Sequence, residues 1–250
     1  MNKLNELIII GGGASINEAR PLGLEEKIKD RFTCGLNYVY RYFDCTFYTY
    51  VDKDFYDKES SGLSKLKLII GKEHRINVLP NTITLPTATR YFRDLQGGVY
   101  SPDLVGLFAL TLGIYLLDKG TIYLLGYDFG EARTENHEAK SINELSNHQK
   151  FTSKDARGRF ITHFYQGDFE HRGIGKTNYY NARNRARNKF LPYIQDKKNR
   201  DIKIYNVSPN SRIPSNIFEK IDYNTFFSKL DTNKYDQNEL RSYIRRKLNS

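Results

Sequence analysis

The feature that most constrains the fold is a short β-branched run that ends in three glycines. Leu7–Ile10 predicts a buried strand, and Gly11-Gly12-Gly13-Ala14-Ser15 predicts a tight turn into a helix. Glycines in such a turn permit close backbone approach to a phosphate or a ribose, and the Ser15 hydroxyl with nearby amides can bind an anion. A plain strand-to-helix turn explains the same residues, since the spacing is that of neither a dinucleotide fingerprint nor a P-loop.

Strand and helix patterns alternate along the rest of the chain, which predicts an α/β fold with a Rossmann-like, doubly wound and mostly parallel sheet. The further strand candidates are Arg31–Gly35, Cys45–Val51, Leu66–Ile70, Ile76–Leu79, Ile122–Leu125 and Ile202–Val207. The apolar stretch Leu104–Leu117 predicts a buried helix with Ser101 as its N-cap. The other helix candidates are Asn178–Gln195, Ser215–Lys220, Tyr223–Leu230 and Gln237–Leu248.

Glycines and polar side chains follow the predicted strands or precede the central helix. Because ligands of parallel sheets bind beyond the carboxyl ends of the strands, these residues are candidate ligand contacts. The candidates are Gly11, Gly12, Gly13, Ser15, Asn37, Asp52, Gly98, Ser101 and Asp128. The Asn37 amide can read a base or ribose, and Asp52 can accept a hydrogen bond from ribose or hold a metal. Each of them taken alone is also typical of turn chemistry.

The stretch Glu131–Thr177 is polar and weakly periodic, which is typical of a functional loop or lid. Within it, His171 stands next to Arg172 and close to Lys176. Histidine ionises near neutral pH, so His171 can deprotonate an acceptor hydroxyl, and His163 is the second candidate for this role. Arg172 and Lys176 can stabilise a departing phosphate. A structural histidine in a basic loop fits the composition equally well.

Length and composition limit the class of protein. A chain of 250 residues is long enough for one well-buried α/β domain, and we predict a catalytic domain over 1–212 with a helical extension over 213–250. Two cysteines, Cys34 and Cys45, are too few for a disulfide framework or a four-ligand zinc site and predict reduced thiols in a cytoplasmic protein. We find no apolar run long enough to span a membrane.

The charge balance points towards polyanionic partners. The chain has 39 Lys and Arg residues against 29 Asp and Glu residues, a formal charge of +10. Such a surface attracts nucleic acid or nucleotide phosphates, although a solvated basic surface gives the same count. The predicted helix that carries Arg183 and Arg187 is the candidate contact for DNA. Exposed basic helices also leave room for a homo-oligomer.

Several short motifs, in order along most of the chain, resemble the bacterial sialyltransferases of the Campylobacter type and the related MptE-like family, which has many viral members. The matching stretches are Ile8–Ser15, Cys34–Asn37, Gly98–Tyr100, Ile122–Phe129 and Tyr205–Ser211. The resemblance implies a Rossmann-like fold that binds a nucleotide-sugar donor and a loop histidine that acts as base. By position it assigns the donor to Gly11–Ser15, Asn37, Gly98 and Ser101, and the base to His171. A virus-encoded enzyme would act in the host cytoplasm.

Two positions depart from the sialyltransferase pattern. Gly130 stands where those enzymes carry a tyrosine, and Asp52 stands where they carry an asparagine. Asp52 and Asp128 suit the MptE-like branch, or a donor handled with Mg²⁺ or Mn²⁺, without fixing a metal site. The sequence therefore predicts a glycosyltransferase with no tightly bound cofactor, whose acceptor is open and includes a hydroxymethylated base in viral DNA. An ATP-dependent pyrophosphokinase and a non-catalytic nucleotide-binding or nucleic-acid-binding protein are the alternatives.

Overall fold

The computed structural model of the chain describes residues 4–73, 78–92, 94–101, 104–128, 164–165 and 201–250. The strands are β1 Glu6–Ile10, β2 Thr33–Leu36, β3 Phe47–Tyr50, β4 Ile69–Lys72, β5 Thr82–Leu85, β6 Thr87–Ala88, β7 Val99–Tyr100, β8 Gly120–Leu125, β9 Ile202–Asn206 and β10 Glu219–Lys220. The α-helices are α1 Ile16–Ala19, α2 Leu24–Ile28, α3 Lys53–Leu63, α4 Val105–Leu117, α5 Tyr223–Lys229 and α6 Gln237–Leu248, and 3₁₀ helices cover Arg20–Leu22 and Asn37–Arg41.

Eight of these strands form one mostly parallel sheet in the order β10-β9-β8-β1-β2-β3-β4-β5, and β6 pairs with β7 in a separate parallel ladder. The register is fixed by pairs such as Ile9 with Cys34 and Cys34 with Phe47. All five residues of β1 are buried, as expected for a strand that is covered on both faces. The predicted α/β, Rossmann-like class is confirmed.

The chain divides into two compact units, and unit 1 comprises Met1–Ile10, Ile28–Ile122 and Asp231–Ser250. The buried helix α4 packs against β1, β2 and β3 within it. Gly113 permits this close packing, because a Cβ atom at that position would lie 2.7 Å from Cδ2 of Leu7. The last helix, α6, is held against α4, since the Tyr243 hydroxyl donates to the Leu116 carbonyl at 2.7 Å.

A buried ionic cluster joins three distant segments of unit 1. Arg31 is 7% exposed, and its Nη1 atom donates to Glu6 Oε1 at 2.5 Å and to Asp231 Oδ1 at 3.1 Å. Its Nη2 atom donates to the Asp231 carbonyl at 2.7 Å. Burial raises the pKa of Glu6, while the backbone N–H of Asp231 and the Arg31 charge oppose that rise. The cluster therefore fixes the start of the C-terminal segment to β1 and to the approach of β2.

Unit 2 comprises Gly11–Lys27 and Tyr123–Leu230. Aromatic packing joins its sheet strands to α5: the Tyr123 ring stacks on Tyr205 with centroids 5.8 Å apart and meets Phe226 edge-on at 5.0 Å. Helix α5 begins at a capped position, where Oδ1 of Asp222 accepts a hydrogen bond from the Thr225 amide at 2.7 Å. The predicted catalytic domain over 1–212 and helical extension over 213–250 stay a prediction.

Three sequence predictions need correction. The described strand after β4 is Thr82–Leu85, and Val78 and Leu79 of the predicted strand Ile76–Leu79 do not belong to a strand, since the Leu79 amide donates to the Tyr56 hydroxyl at 2.8 Å. Ser215–Lys220 is not a helix, since its last two residues form β10 and pair with Tyr205 and Asn206. Residues 76 and 77 lie outside the described part of the chain, as do 131–163 and the predicted helix over 178–195.

The third correction concerns the start of the central helix. Helix α4 begins at Val105 with Leu104 in the N-cap position, and the amides of Leu107 and Phe108 donate to the Leu104 carbonyl. Ser101 is not the cap because its backbone continues β7, where its amide donates to the Ala88 carbonyl at 3.4 Å.

Two further findings bear on the class of protein. Both cysteines are free and buried. Among the described residues, no helix has the length and apolar character needed to cross a membrane.

Candidate functional site

The glycine-rich turn packs directly against the turn that follows β8. The Gly11 amide donates to the Leu125 carbonyl at 2.7 Å, and the Gly13 amide donates to the Gly126 carbonyl at 2.9 Å. A Cβ atom at Gly13 would lie 2.5 Å from the Gly126 oxygen and 2.6 Å from Oδ2 of Asp128. Only glycine permits this approach, so Gly13 brings a backbone turn and a carboxylate into contact.

Asp128 lies at the centre of a buried polar cluster and is 6% exposed. Its Oδ2 atom accepts from the Ser15 amide at 2.7 Å, and its Oδ1 atom accepts from the Ser15 hydroxyl at 2.5 Å. The Ser15 and Ser208 hydroxyl oxygens are 2.8 Å apart. The two hydroxyl groups and the carboxylate therefore form one hydrogen-bonded group.

The electrostatics of the cluster follow from its burial. Loss of hydration raises the pKa of Asp128, and hydrogen bonds from Ser15, Ser208 and the Ala14 amide oppose that rise. The carboxylate therefore already occupies the backbone amides at the start of α1. These are the amides that the sequence suggested as an anion site, so a ligand phosphate cannot use them while Asp128 holds them.

The segment after β9 completes this part of unit 2. The Ser211 hydroxyl donates to the Tyr127 carbonyl at 2.7 Å, and the Arg212 amide donates to the Asp128 carbonyl at 2.8 Å. Asn206 is fully buried, and its Nδ2 atom lies 3.4 Å from the Tyr127 carbonyl. The turns that follow β1, β8 and β9 are thus joined into one hydrogen-bonded network.

Phe164 and Tyr165 are the residues between 129 and 200 that the structure describes. The Phe164 amide donates to the Gly12 carbonyl at 2.9 Å, and both aromatic residues are buried. Their rings meet edge-on at 4.9 Å. This contact places the residues just after His163 against the glycine-rich turn.

The remaining candidate contacts at strand ends lie in unit 1. Asn37 follows β2 with a φ of +47°, and its Oδ1 atom is buried without a hydrogen bond to any described residue. Asp52 follows β3, is exposed and begins α3. Gly98 has a φ of +101°, and a Cβ atom there would lie 2.7 Å from the Pro86 carbonyl oxygen. Ser101 is 7% exposed, and its hydroxyl likewise has no partner among the described residues.

The structure therefore brings Gly11, Gly13, Ser15 and Asp128 together in unit 2. Both carboxylate oxygens of Asp128 accept hydrogen bonds from Ser15, and its possible role in metal binding stays a prediction. The described ranges hold no group of three or more His, Cys, Asp or Glu residues that can bind a metal ion. The other candidates lie outside the described residues: His163, His171, Arg172, Lys176, Arg183 and Arg187.

Sequence reasoning missed the residues that follow β9. Ser208, Ser211 and Arg212 occupy the same kind of position, after the carboxyl end of a parallel strand, that singled out Ser15 and Asn37. Applying that rule to the last long strand would have found them. What the rule cannot show is that a charged residue such as Arg212 is buried.

No protein-family model, no curated protein and no solved structure matches the chain. The resemblance to sialyltransferases therefore stays a prediction that rests on short motifs.

Proposed function

We propose that this protein is a glycosyltransferase that takes a sugar from a nucleotide-sugar donor bound beside the glycine-rich turn. One observation carries the proposal, namely the order of the sheet. From β1 the chain moves outward through β2 to β5, then returns to place β8 on the other side of β1. Open parallel sheets bind ligands where the strand order reverses, beyond the carboxyl ends. The turns after β1 and β8 meet at that point.

The residues at this point suit the uncharged part of a nucleotide. Gly12 is half-buried and gives its carbonyl to the Phe164 amide, so its other backbone atoms are the approachable part of the turn, whereas Gly11 and Gly13 are used for packing. Since the Asp128 carboxylate occupies the Ser15 amide, hydroxyl and base groups of the ligand are the natural partners of the remaining backbone atoms.

The transfer step is assigned to the histidine-bearing segment on sequence grounds. His171, or His163 in its place, takes the proton of the acceptor hydroxyl. The oxygen then attacks the anomeric carbon, and the bond from that carbon to the phosphate oxygen breaks. Arg172 and Lys176 neutralise the phosphate, which leaves with the bonding electrons. A Mg²⁺ or Mn²⁺ ion bound with the donor would share that task.

Donor binding is tested by thermal unfolding with cytidine, uridine, guanosine and adenosine nucleotides and their sugar conjugates, with and without Mg²⁺ or Mn²⁺. A ligand at a hundred times its dissociation constant adds about 2.7 kcal/mol to the free energy of unfolding. Stabilisation by a sugar nucleotide supports the proposal and identifies the base. Stabilisation by ATP with Mg²⁺ alone would replace it with a pyrophosphokinase, and no stabilisation by any nucleotide would overturn it.

The catalytic assignment needs a matched set of variants in the same segment. We expect His171→Ala or His163→Ala to abolish release of the nucleotide from the donor while donor binding persists. His137→Ala makes the same change in the same polar stretch and should leave turnover intact. Full turnover in both test variants would remove histidine base catalysis from the proposal.

The acceptor is proposed to be a hydroxyl on a base in DNA, because the +10 charge favours a polyanionic partner. A duplex with hydroxymethylated pyrimidines should accept labelled sugar, and the same duplex without hydroxymethyl groups should not. Binding to DNA should weaken steeply as salt rises, because phosphate contacts release counterions. Arg183→Gln and Arg187→Gln should reduce that salt dependence, and an affinity insensitive to salt would exclude DNA.

A further inference from the structure

Arg212 is a buried cation without a counter-ion in the described part of the chain. The residue is 9% exposed, and its Nε atom is buried without a hydrogen bond. None of the ion pairs or side-chain hydrogen bonds among the described residues involves its guanidinium group. Its backbone, by contrast, is fixed, because its amide donates to the Asp128 carbonyl at 2.8 Å.

A buried guanidinium group is unfavourable unless a hydrogen-bond acceptor or an opposite charge contacts it. A guanidinium group stays charged at any ordinary pH, so burial cannot be relieved by loss of a proton. Removing a charge from water without a partner is costly, and native proteins pair or hydrogen-bond the charges they bury. The group that pairs with Arg212 must accept hydrogen bonds, because every one of its side-chain N–H groups is a donor, and an anion would also balance its charge.

The Asp128 carboxylate, which belongs to the same network, forms no ion pair with Arg212 among the described contacts. Both oxygens of Asp128 accept hydrogen bonds from Ser15, at 2.7 Å from the amide and 2.5 Å from the hydroxyl. Asp128 contributes its main-chain carbonyl to Arg212, not its charge. The same bonds withdraw the amides of the glycine-rich turn from ligand binding, so a phosphate held in this part of unit 2 needs another donor.

A second cation contacts the residue before Arg212. The Lys220 ammonium group donates to the Ser211 carbonyl at 2.6 Å, one residue before Arg212. Ser211 itself is bonded through its hydroxyl to the Tyr127 carbonyl in the turn after β8. The segment after β9 thus carries two positive charges on a backbone that is fixed to the carboxyl end of β8.

We propose that Arg212 is the phosphate-binding residue of the site, an assignment that rests on the proposed nucleotide binding. Its planar fork of N–H donors suits two phosphate oxygens at once, and Lys220 adds a second positive charge. The glycine-rich turn then contacts the nucleoside, and the phosphate is held from the β9 side.

Calorimetric titration tests the assignment with cytidine and cytidine monophosphate, uridine and uridine diphosphate, and inorganic phosphate. The quantity measured is the ratio of the dissociation constant of each nucleoside to that of its nucleotide. In Arg212→Gln we expect this ratio to fall about 10- to 100-fold while the nucleoside constant is unchanged. In Arg212→Lys the ratio should fall less, because lysine keeps the positive charge but lacks the planar set of N–H donors. Arg20→Gln, which changes an exposed arginine of unit 2, should leave the ratio intact.

The outcomes separate this assignment from the proposed function. If the native protein binds nucleotides and Arg212→Gln and Arg212→Lys both keep the native ratio, the Arg212 assignment is wrong and nucleotide binding stands. If no nucleoside or nucleotide binds but inorganic phosphate does, and Arg212→Gln abolishes it, Arg212 is an anion site and the proposed function is wrong. If neither nucleotides nor phosphate bind the folded native protein, both are wrong. Arg212→Lys decides the result if Arg212→Gln does not fold.

Discussion

Two buried arginines, one in each compact unit, differ in the partners of their guanidinium groups. Arg31 is 7% exposed and Arg212 is 9% exposed. Arg31 donates to two carboxylates and one carbonyl, so its charge is balanced within the chain. The Arg212 guanidinium has no such partner among the described residues. Equal burial of the same residue type thus has two different meanings: Arg31 completes a cluster of the fold, whereas the described part of the chain offers Arg212 no balancing charge.

The largest effect is expected where the balanced arginine is removed. Arg31→Met should lower the free energy of unfolding by about 3–5 kcal/mol, because it leaves Glu6 and Asp231 facing each other without a cation. Urea unfolding measures the loss. Arg20→Met removes an exposed ion pair and should cost less than about 1 kcal/mol. A loss for Arg31→Met no greater than that of Arg20→Met would show that the cluster is not stabilising.

The second largest effect is expected near Asp128, whose carboxylate accepts its hydrogen bonds from Ser15 and not from Arg212. Gly13→Ala should cost about 3 kcal/mol, because its Cβ atom would meet the Gly126 oxygen at 2.5 Å and displace the Asp128 carboxylate. Gly97→Ala is the matched control, since its Cβ atom would meet the exposed ring of Phe92, which can turn away. Thermal unfolding of the two variants should show a clear loss in the first and little change in the second.

The buried carboxylate also gives a pH prediction. Its raised pKa means that the folded protein holds this proton more tightly than the unfolded chain does. Its contribution to stability is therefore full below the ordinary Asp value of 3.8 and is lost as pH rises through the raised pKa. Asp128→Asn should cost about 1 kcal/mol at pH 7 and more near pH 4, because the native protein is then at its most stable relative to the variant.

Asp222→Asn is the control for that pH dependence. Hydrogen bonds from Thr225 lower the pKa of Asp222, so its contribution is present above 3.8 and is lost as pH falls through the lowered pKa. The stability difference between native protein and variant should then grow with pH for Asp222→Asn and shrink with pH for Asp128→Asn. Equal slopes for the two variants would contradict the buried, ionisable state of Asp128.

The smallest effect on the free energy of unfolding is expected at Arg212. Arg212→Met should change the free energy of unfolding of the ligand-free protein by less than about 1 kcal/mol, and in the direction of a gain, because it replaces an unpaired buried charge by an apolar side chain. Measured beside Arg31→Met, it sets the two arginines directly against each other. A loss comparable to that of Arg31→Met would show that Arg212 is a structural residue.

Sequence alone predicts the sheet well, because runs such as Leu7–Ile10 and Ile122–Leu125 are β-branched and bounded by glycine. It also places Ser15 and Asp128 among the ligand-side residues, since each follows a strand. Their bond to each other lies beyond sequence reasoning, because the partners are 113 positions apart and meet only when β8 lies beside β1. The same holds for Arg212, whose burial depends on packing that no local pattern encodes.

The cluster around Arg31 has a consequence for synthesis on the ribosome. Glu6 and Arg31 are made early, but Asp231 follows Arg31 by 200 positions. At about 5–20 residues per second, Arg31 waits roughly 10–40 s for its second carboxylate. During that interval unit 1 is incomplete, and Glu6 is the one carboxylate of the cluster that Arg31 can contact. Native folding of this unit is therefore completed only after Asp231 has left the exit tunnel.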